Sequence, residues 1–201
     1  MPKLSVLQDY FSKLEDIVVP DIQQWLGQNE VPIILENRIG NRMLYPQVIP
    51  QTPSDMDFDF AIIRKVIEAN QTKFYNKNLK RIDIPEEFLQ HFLDIKKLVI
   101  AFIDALILPG ITTFWIKSVS FAPRNLGTLI RPENLKKGDT ITIGIGDKQY
   151  PISVGSLVVI PISKSRADMT FTSATATLIG KKILSIEIVT GQFGLIVDTR
   201  I

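Results

Sequence analysis

Thr140-Ile-Thr-Ile-Gly-Ile-Gly-Asp-Lys-Gln-Tyr-Pro-Ile-Ser-Val154 decides the fold. Isoleucine alternates with small or polar residues up to Ile145, Gly146-Asp147 supplies a turn, and Tyr150, Ile152 and Val154 alternate back. A period of two on both sides of a Gly-Asp pair predicts a β-hairpin. Working outward, further strands are predicted at Ile111–Lys117, Ser156–Ile162, Asp168–Leu178, Lys182–Thr190 and Phe193–Asp198, with turn glycines at 155, 180 and 191. Short strands at this spacing predict a small β-barrel or sandwich over residues 118–201. Its core is expected from same-side residues: Ile141, Ile143, Ile145, Tyr150, Ile152, Leu157, Val159, Leu184, Ile186, Ile188, Leu195 and Val197.

Upstream the period changes. Leu4, Leu7, Phe11, Leu14 and Val18 recur at spacings of three and four, which predicts an amphipathic helix that Pro20 interrupts. A short turn carrying Ile22 and Trp25 is expected to stop at Gly27. Val31-Pro-Ile-Ile-Leu35 and Met43–Ile49 read as short extended segments within 31–50, joined by the turn-rich Asn37–Asn41. Ser54 or Asp55 is placed to cap a helix with Phe60, Ile63, Ile67 and Phe74 on its buried stripe. Asp83-Ile-Pro-Glu-Glu87 reads as the start of a long helix, with proline in the first turn and acids at the positive end of the dipole. On it Gln90, Asp94, Lys97 and Asp104 form one outward polar stripe. The fold class expected is therefore α+β: a mainly helical region over 1–117 and an all-β domain over 118–201.

Composition excludes several function classes. Twenty-three Lys and Arg against 21 Asp and Glu give a formal net charge of +2, with no basic excess to drive duplex binding, so nucleic acid is not an expected partner. The chain has no cysteine, which rules out disulfides, thiolate catalysis and zinc-thiolate centres and makes a cytoplasmic location the natural expectation. No signal peptide is expected, because no continuous apolar run follows the charged start of the chain. Leu98–Ile116 is nearly long enough to cross a bilayer, but Asp104 stands at its centre and Pro109-Gly110 breaks it, so it is expected in a protein core.

No set of residues amounts to an active site. Asp55, Asp57 and Asp59 alternate as a calcium loop begins, yet Phe60 and Val66 stand where that loop needs Gly and Glu; the expected reading is a solvated helix N-terminus. His91 has only Glu87 one turn away, too little for a metal site. Gly144-Ile-Gly-Asp147 lacks the Gly-Lys-Thr/Ser of a phosphate loop. Lys136-Lys137 and Lys164-Ser-Arg166 lie near Tyr150 and Phe171, elements a nucleic-acid-binding barrel could use. Thr170, Thr172, Ser173, Thr175 and Thr177 read as an exposed strand face, because no base accompanies them.

Five segments carry a resemblance. Phe102-Ile-Asp-Ala-Leu-Ile-Leu-Pro-Gly-Ile-Thr-Thr113, Leu126-Gly-Thr-Leu-Ile-Arg-Pro132, Leu135-Lys-Lys-Gly-Asp139, Gly155-Ser-Leu-Val-Val-Ile-Pro-Ile162 and Gly191-Gln-Phe-Gly-Leu-Ile-Val-Asp198 follow in order. Together they resemble the C-terminal region of the glutamate-mutase-L family, relatives of hydantoinases and actin-like ATPases, over about residues 97–201. The resemblance implies a β-rich tail module, a fragment or stand-alone descendant of such proteins, with a separate ATPase-like subunit as partner. The family's phosphate loops are not present: nothing before Pro85 reads Asp-x-Gly-Thr, and no paired glycines occur. No cofactor, metal or catalytic residue is therefore carried over. The function expected is a non-enzymatic interaction or assembly module. The alternatives are a small-ligand-binding or carrier-like β-barrel and a nucleic-acid-binding barrel.

Overall fold

The computed structural model describes residues 17–26, 30–45, 48–69, 81–86, 88–89, 92 and 94–201. The fold is α+β, and the chain divides into two compact units. One is helical and comprises the described residues of Leu4–Asn78 and Ile84–Ile107; the other carries the sheets and comprises those of Leu79–Asp83 and Leu108–Ile201. The expected boundary at 117 moves back, because the strand foreseen at Ile111–Lys117 pairs with the strand that follows it.

The helical unit contains α1 (Val19–Leu26), α2 (Pro32–Leu44), α3 (Pro53–Ala69) and α4 (Ile95–Ala105). Helix α2 corrects the extended reading of 31–50. Pro32 occupies the first turn, where its missing N–H costs nothing, and Leu35, Ile39 and Arg42 recur at helical spacing on the buried side. The cap of α3 is Thr52 rather than Ser54 or Asp55. Its Oγ1 accepts from the Asp55 backbone N at 3.1 Å, while the Asp55 carboxylate accepts from the Thr52 backbone N at 3.2 Å, a reciprocal capping box. Phe60, Ile63 and Ile67 are buried as expected. Phe74 and the helix predicted from Leu4 lie outside the described residues, except that Ile17 and Val18, at the end of that stretch, precede α1 in non-helical backbone.

The long helix expected from Asp83 is a second correction. Arg81–Pro85 is a strand, β1, in which Ile82 and Ile84 alternate into the core; α4 starts only at Ile95. Asp94 sets that start, its carboxylate accepting from the backbone N of Lys96 at 2.9 Å and of Lys97 at 3.1 Å. Nor does Asp104 follow a polar stripe outward. Its side chain is nearly buried and takes the Arg64 Nε at 3.0 Å. Leu98, Val99, Phe102 and Ile103 pack into the core of this unit. The apolar stretch then leaves the helix after Ala105 and becomes strand at Gly110. Among the described residues no helix is long and apolar enough to cross a membrane.

The β unit holds β2 (Gly110–Lys117), β3 (Arg124–Arg131), β4 (Thr140–Ile145), β5 (Lys148–Ser153), β6 (Leu157–Ile160), β7 (Arg166–Thr172), β8 (Ile183–Val189) and β9 (Leu195–Asp198). They form a five-stranded sheet ordered β1-β2-β3-β9-β6 and a four-stranded antiparallel sheet ordered β5-β4-β7-β8. Among the described residues no closed barrel forms. The predicted hairpin is present, with Ile145 opposite Lys148 and Gly146 at φ 55° in the two-residue turn. One apolar cluster draws on both sheets: Ile130, Ile160, Leu195 and Val197 from the first, Ile141, Ile143, Ile152, Met169, Phe171 and Ile188 from the second. Ile145, Tyr150, Leu184 and Ile186 pack against it half-buried. The register predicted for β6 is displaced by one residue. Val159 is 54% exposed, and Val158 and Ile160 face the cluster instead.

Candidate functional site

Helices α2 and α3 and the described residues between them line an open cavity of about 270 Å³. Its wall includes Arg38 and Arg42 from α2, Tyr45, Val48 and Ile49 from the connection, and Asp55, Phe58 and Asp59 from α3. The local sequence explains the placement. The Leu35–Ile39–Arg42 stripe turns the Arg42 stem inward, and Asp59 lies four residues beyond Asp55 on the same side of α3. Arg42 and Asp59 are both more than nine-tenths buried and form an ion pair through Nη2 and Oδ2, while Arg42 Nη1 donates to the Val48 carbonyl. Burial drives the Asp59 carboxyl up to about 6; the neighbouring Arg42 pulls it back only in part.

Arg38 closes the rim. Its Nη1 lies 2.7 Å from the Glu30 carboxylate, its Nη2 donates to the Ser54 carbonyl at 2.9 Å, and its guanidinium stands 4.3 Å over the Phe58 ring. Asp55 is 3.5 Å from Arg38, and its hydrogen bond to Thr52 holds its carboxyl below the usual range despite partial burial.

The three alternating aspartates therefore go to separate partners. Asp55 serves the cap, Asp57 reaches Lys97 Nζ at 2.7 Å, and Asp59 turns inward to Arg42. The solvated reading holds for Asp57 and fails for Asp59, which the turn of the helix carries to the buried side. Among the described residues no group of three acidic or histidine side chains is gathered for a metal ion. His91 and Glu87 lie outside the described residues.

In the β unit, Phe171 is buried and Tyr150 packs half-buried on the core. Lys136, Lys137 and Lys164 are exposed, and Arg166 pairs with Glu187 at 2.9 Å. Thr170 and Thr172 are exposed as expected, whereas Ser173 is buried and its Oγ accepts from the backbone N of Thr175 and Ala176. Gly144 belongs to β4, pressed between the side chains of Thr170 and Gln149, and cradles nothing.

The same segment carries a feature that periodicity alone did not reveal. Ile33, Ile34, Leu44, Tyr45, Val48 and Ile49 are each at least 41% exposed, and Tyr45, Val48 and Ile49 also line the cavity. Reading 31–50 as extended hid this surface, since only a helix puts Leu35 and Ile39 inside and leaves Ile33, Ile34 and Leu44 out. No family model, no curated protein and no solved structure matches the chain.

Proposed function

We propose that the chain is a non-enzymatic interaction module whose helical unit docks a protein partner. The observation that supports it is the run of exposed apolar side chains from Val31 to Ile49, concentrated on one short segment rather than scattered. Scattered surface hydrophobes need no explanation, but eight large apolar side chains facing water within one short segment support a role as an interaction surface. Its composition suits a protein, because the charged groups nearby, Arg38, Asp55 and Asp59, are engaged with one another or with neighbours. The resemblance of residues 97–201 to the tail of glutamate-mutase-L proteins makes an ATPase-like subunit the first partner to test. On this reading the β unit is a two-sheet sandwich that serves as scaffold, and the protein works in the cytoplasm.

The test compares the wild-type chain with Ile34→Glu/Leu44→Glu. Both positions are exposed, so melting should be nearly unchanged. A partner retained by the wild type, purified and titrated back, should lose at least tenfold in affinity for the variant. Equal affinity for both chains would remove this surface from the function.

A further inference from the structure

The outer side of α2 is self-complementary. Leu35, Ile39 and Arg42 face inward, and the turn of the helix carries Ile33, Asn37, Gly40 and Leu44 to the opposite side at spacings of four, three and four. That is the seam spacing of a coiled coil, here with isoleucine and leucine at its ends and an amide and a glycine in its middle. Ile33 and Leu44 are each more than half exposed, and Asn37 is exposed as well. Gly40 adds an independent observation. Glycine weakens the middle of a helix, and a Cβ there would meet nothing beyond its own helix within 4 Å, so packing inside the chain does not demand it. A glycine on an open helix face does let a second backbone come close.

We propose that a second copy of this chain docks on this stripe, its α2 running antiparallel about a two-fold axis between Arg38 and Ile39. This rests on the reading of Val31–Ile49 as a docking surface; it fills the α2 face of that surface and leaves Tyr45, Val48 and Ile49 open to another protein. A two-fold contact requires one patch to complement itself. Reversal of the stripe does so: Ile33 meets Leu44 of the second copy and Asn37 meets its Gly40, each layer occurring twice. Apolar therefore meets apolar at both ends. In the middle, Asn37 lies over the glycine and beside Asn41 of the second copy. An amide is donor and acceptor at once, so it bonds its own kind, and a polar layer in an apolar seam fixes the register. No like charges are opposed, since the stripe holds no charged side chain and Arg38 and Arg42 are turned to Glu30 and Asp59. A contact with an unrelated protein would not call for this reversal symmetry, which favours a second copy. The 13 residues of α2 span about 20 Å, so the contact belongs to the small class below about 1,200 Å² and to micromolar association.

The test is analytical ultracentrifugation of the full chain from micromolar to millimolar concentration. The mass should rise from 22.7 kDa towards twice that value. Ile33→Glu alone and Leu44→Lys alone should each weaken self-association roughly tenfold or more, because each buries an unpaired charge in the contact. Both positions are exposed in the single chain, so each variant should melt as the wild type does at high dilution. An equimolar mixture of the two should recover the dimer, since position 33 of one chain faces position 44 of the other and the new charges are opposite. Ile33→Glu mixed with Ile33→Lys should not recover it, since antiparallel pairing holds the two copies of position 33 roughly 16 Å apart along the axis. A wild-type chain that keeps 22.7 kDa up to about 1 mM overturns the proposal. So does self-association that neither single change weakens, or recovery with Ile33→Lys in place of Leu44→Lys, or none with either. If a monomeric chain still needs Ile34 and Leu44 to hold a captured protein, the docking surface stands and only the second copy falls.

Discussion

Arg131 and Asp198 are partners across the parallel pairing of β3 with β9, the guanidinium Nε 3.0 Å from a carboxylate oxygen that no solvent reaches. Arg131 ends one strand and Asp198 the other, so the pair clamps the last strand to the middle of its sheet. Asp198→Asn should destabilise the β unit by about 3–5 kcal/mol, because it leaves the buried Arg131 charge without compensation. Urea denaturation of the variant would check this, and a loss within 0.5 kcal/mol would mean that the pair is dispensable.

The two buried aspartates should impose opposite pH slopes. Burial alone would raise the Asp198 carboxyl, but hydrogen bonds from Arg200 and Arg131 hold it below its ordinary value. A depressed folded-state pKa gives stability that is present above the ordinary value near 3.8 and lost as pH falls below it through the folded pKa. Asp59 runs the other way. Raised from 3.8 to about 6, it gives stability that is fully present below 3.8 and lost as pH rises through about 6. At 1.36 kcal/mol per pKa unit the loss is about 3 kcal/mol. Hydrogen exchange of the α3 amides should therefore quicken from pH 5 to pH 7 beyond its intrinsic rise, and Asp59→Asn should remove that extra slope.

Within the apolar stretch after Asp94, Leu98 is fully buried in the helical unit. Leu98→Ala should cost about 2–5 kcal/mol, the range for a buried leucine whose cavity cannot fully collapse. Thermal melting of purified chains checks it. A cost under 1 kcal/mol would place Leu98 at a loose or exposed position instead.

These residues also show what the sequence made legible. The β4–β5 hairpin was readable because strict alternation and a Gly-Asp turn are local signals, and Ile141, Ile143 and Ile152 are buried as alternation requires. Helix α2 was not, because Pro32 and the β-favouring Ile33-Ile34 outweighed a weak helical stripe; proline at the first turn is compatible with a helix and cannot be told from a breaker by composition. β1 was missed because Asp83-Ile-Pro-Glu-Glu87 imitates a helix start, while Ile82 and Ile84 make too short a strand to outweigh it. In β6 every residue is apolar, so alternation gave no register and packing chose Val158 and Ile160. The cavity was illegible for a different reason. Arg42 and Asp59 are 17 residues apart on separate helices, and only tertiary packing turns Asp59 away from the solvent that Asp57 faces.

The last prediction concerns how β9 is held. It lies inside its sheet, parallel to β3 through Thr128–Leu195, Leu129–Ile196 and Ile130–Val197, and antiparallel to β6 from Leu157–Asp198 to Ile160–Leu195. Removing an inner strand exposes the ladders on both sides. The approach to β9 is tight as well. Gly194 holds φ 69°, and a Cβ there would lie 2.4 Å from the Ile160 carbonyl oxygen; at Gly191 a Cβ would lie 2.4 Å from the Asn125 carbonyl oxygen. Gly194→Ala should thus destabilise by about 1–3 kcal/mol from the left-handed backbone alone, with the clash added to it. Leu195→Ala should cost about 2–5 kcal/mol, and half-buried Ile186 less. Ending the chain at Gly191 removes the ladder, the Asp198 clamp, and Thr199, whose Oγ1 bonds the Ser153 and Ser156 carbonyls at 3.0 Å. Calorimetry of that truncated chain should show no cooperative transition from the β unit and a strong tendency to aggregate. A truncated chain that melts at the full-length temperature would show that β3 and β6 hold together without the strand between them.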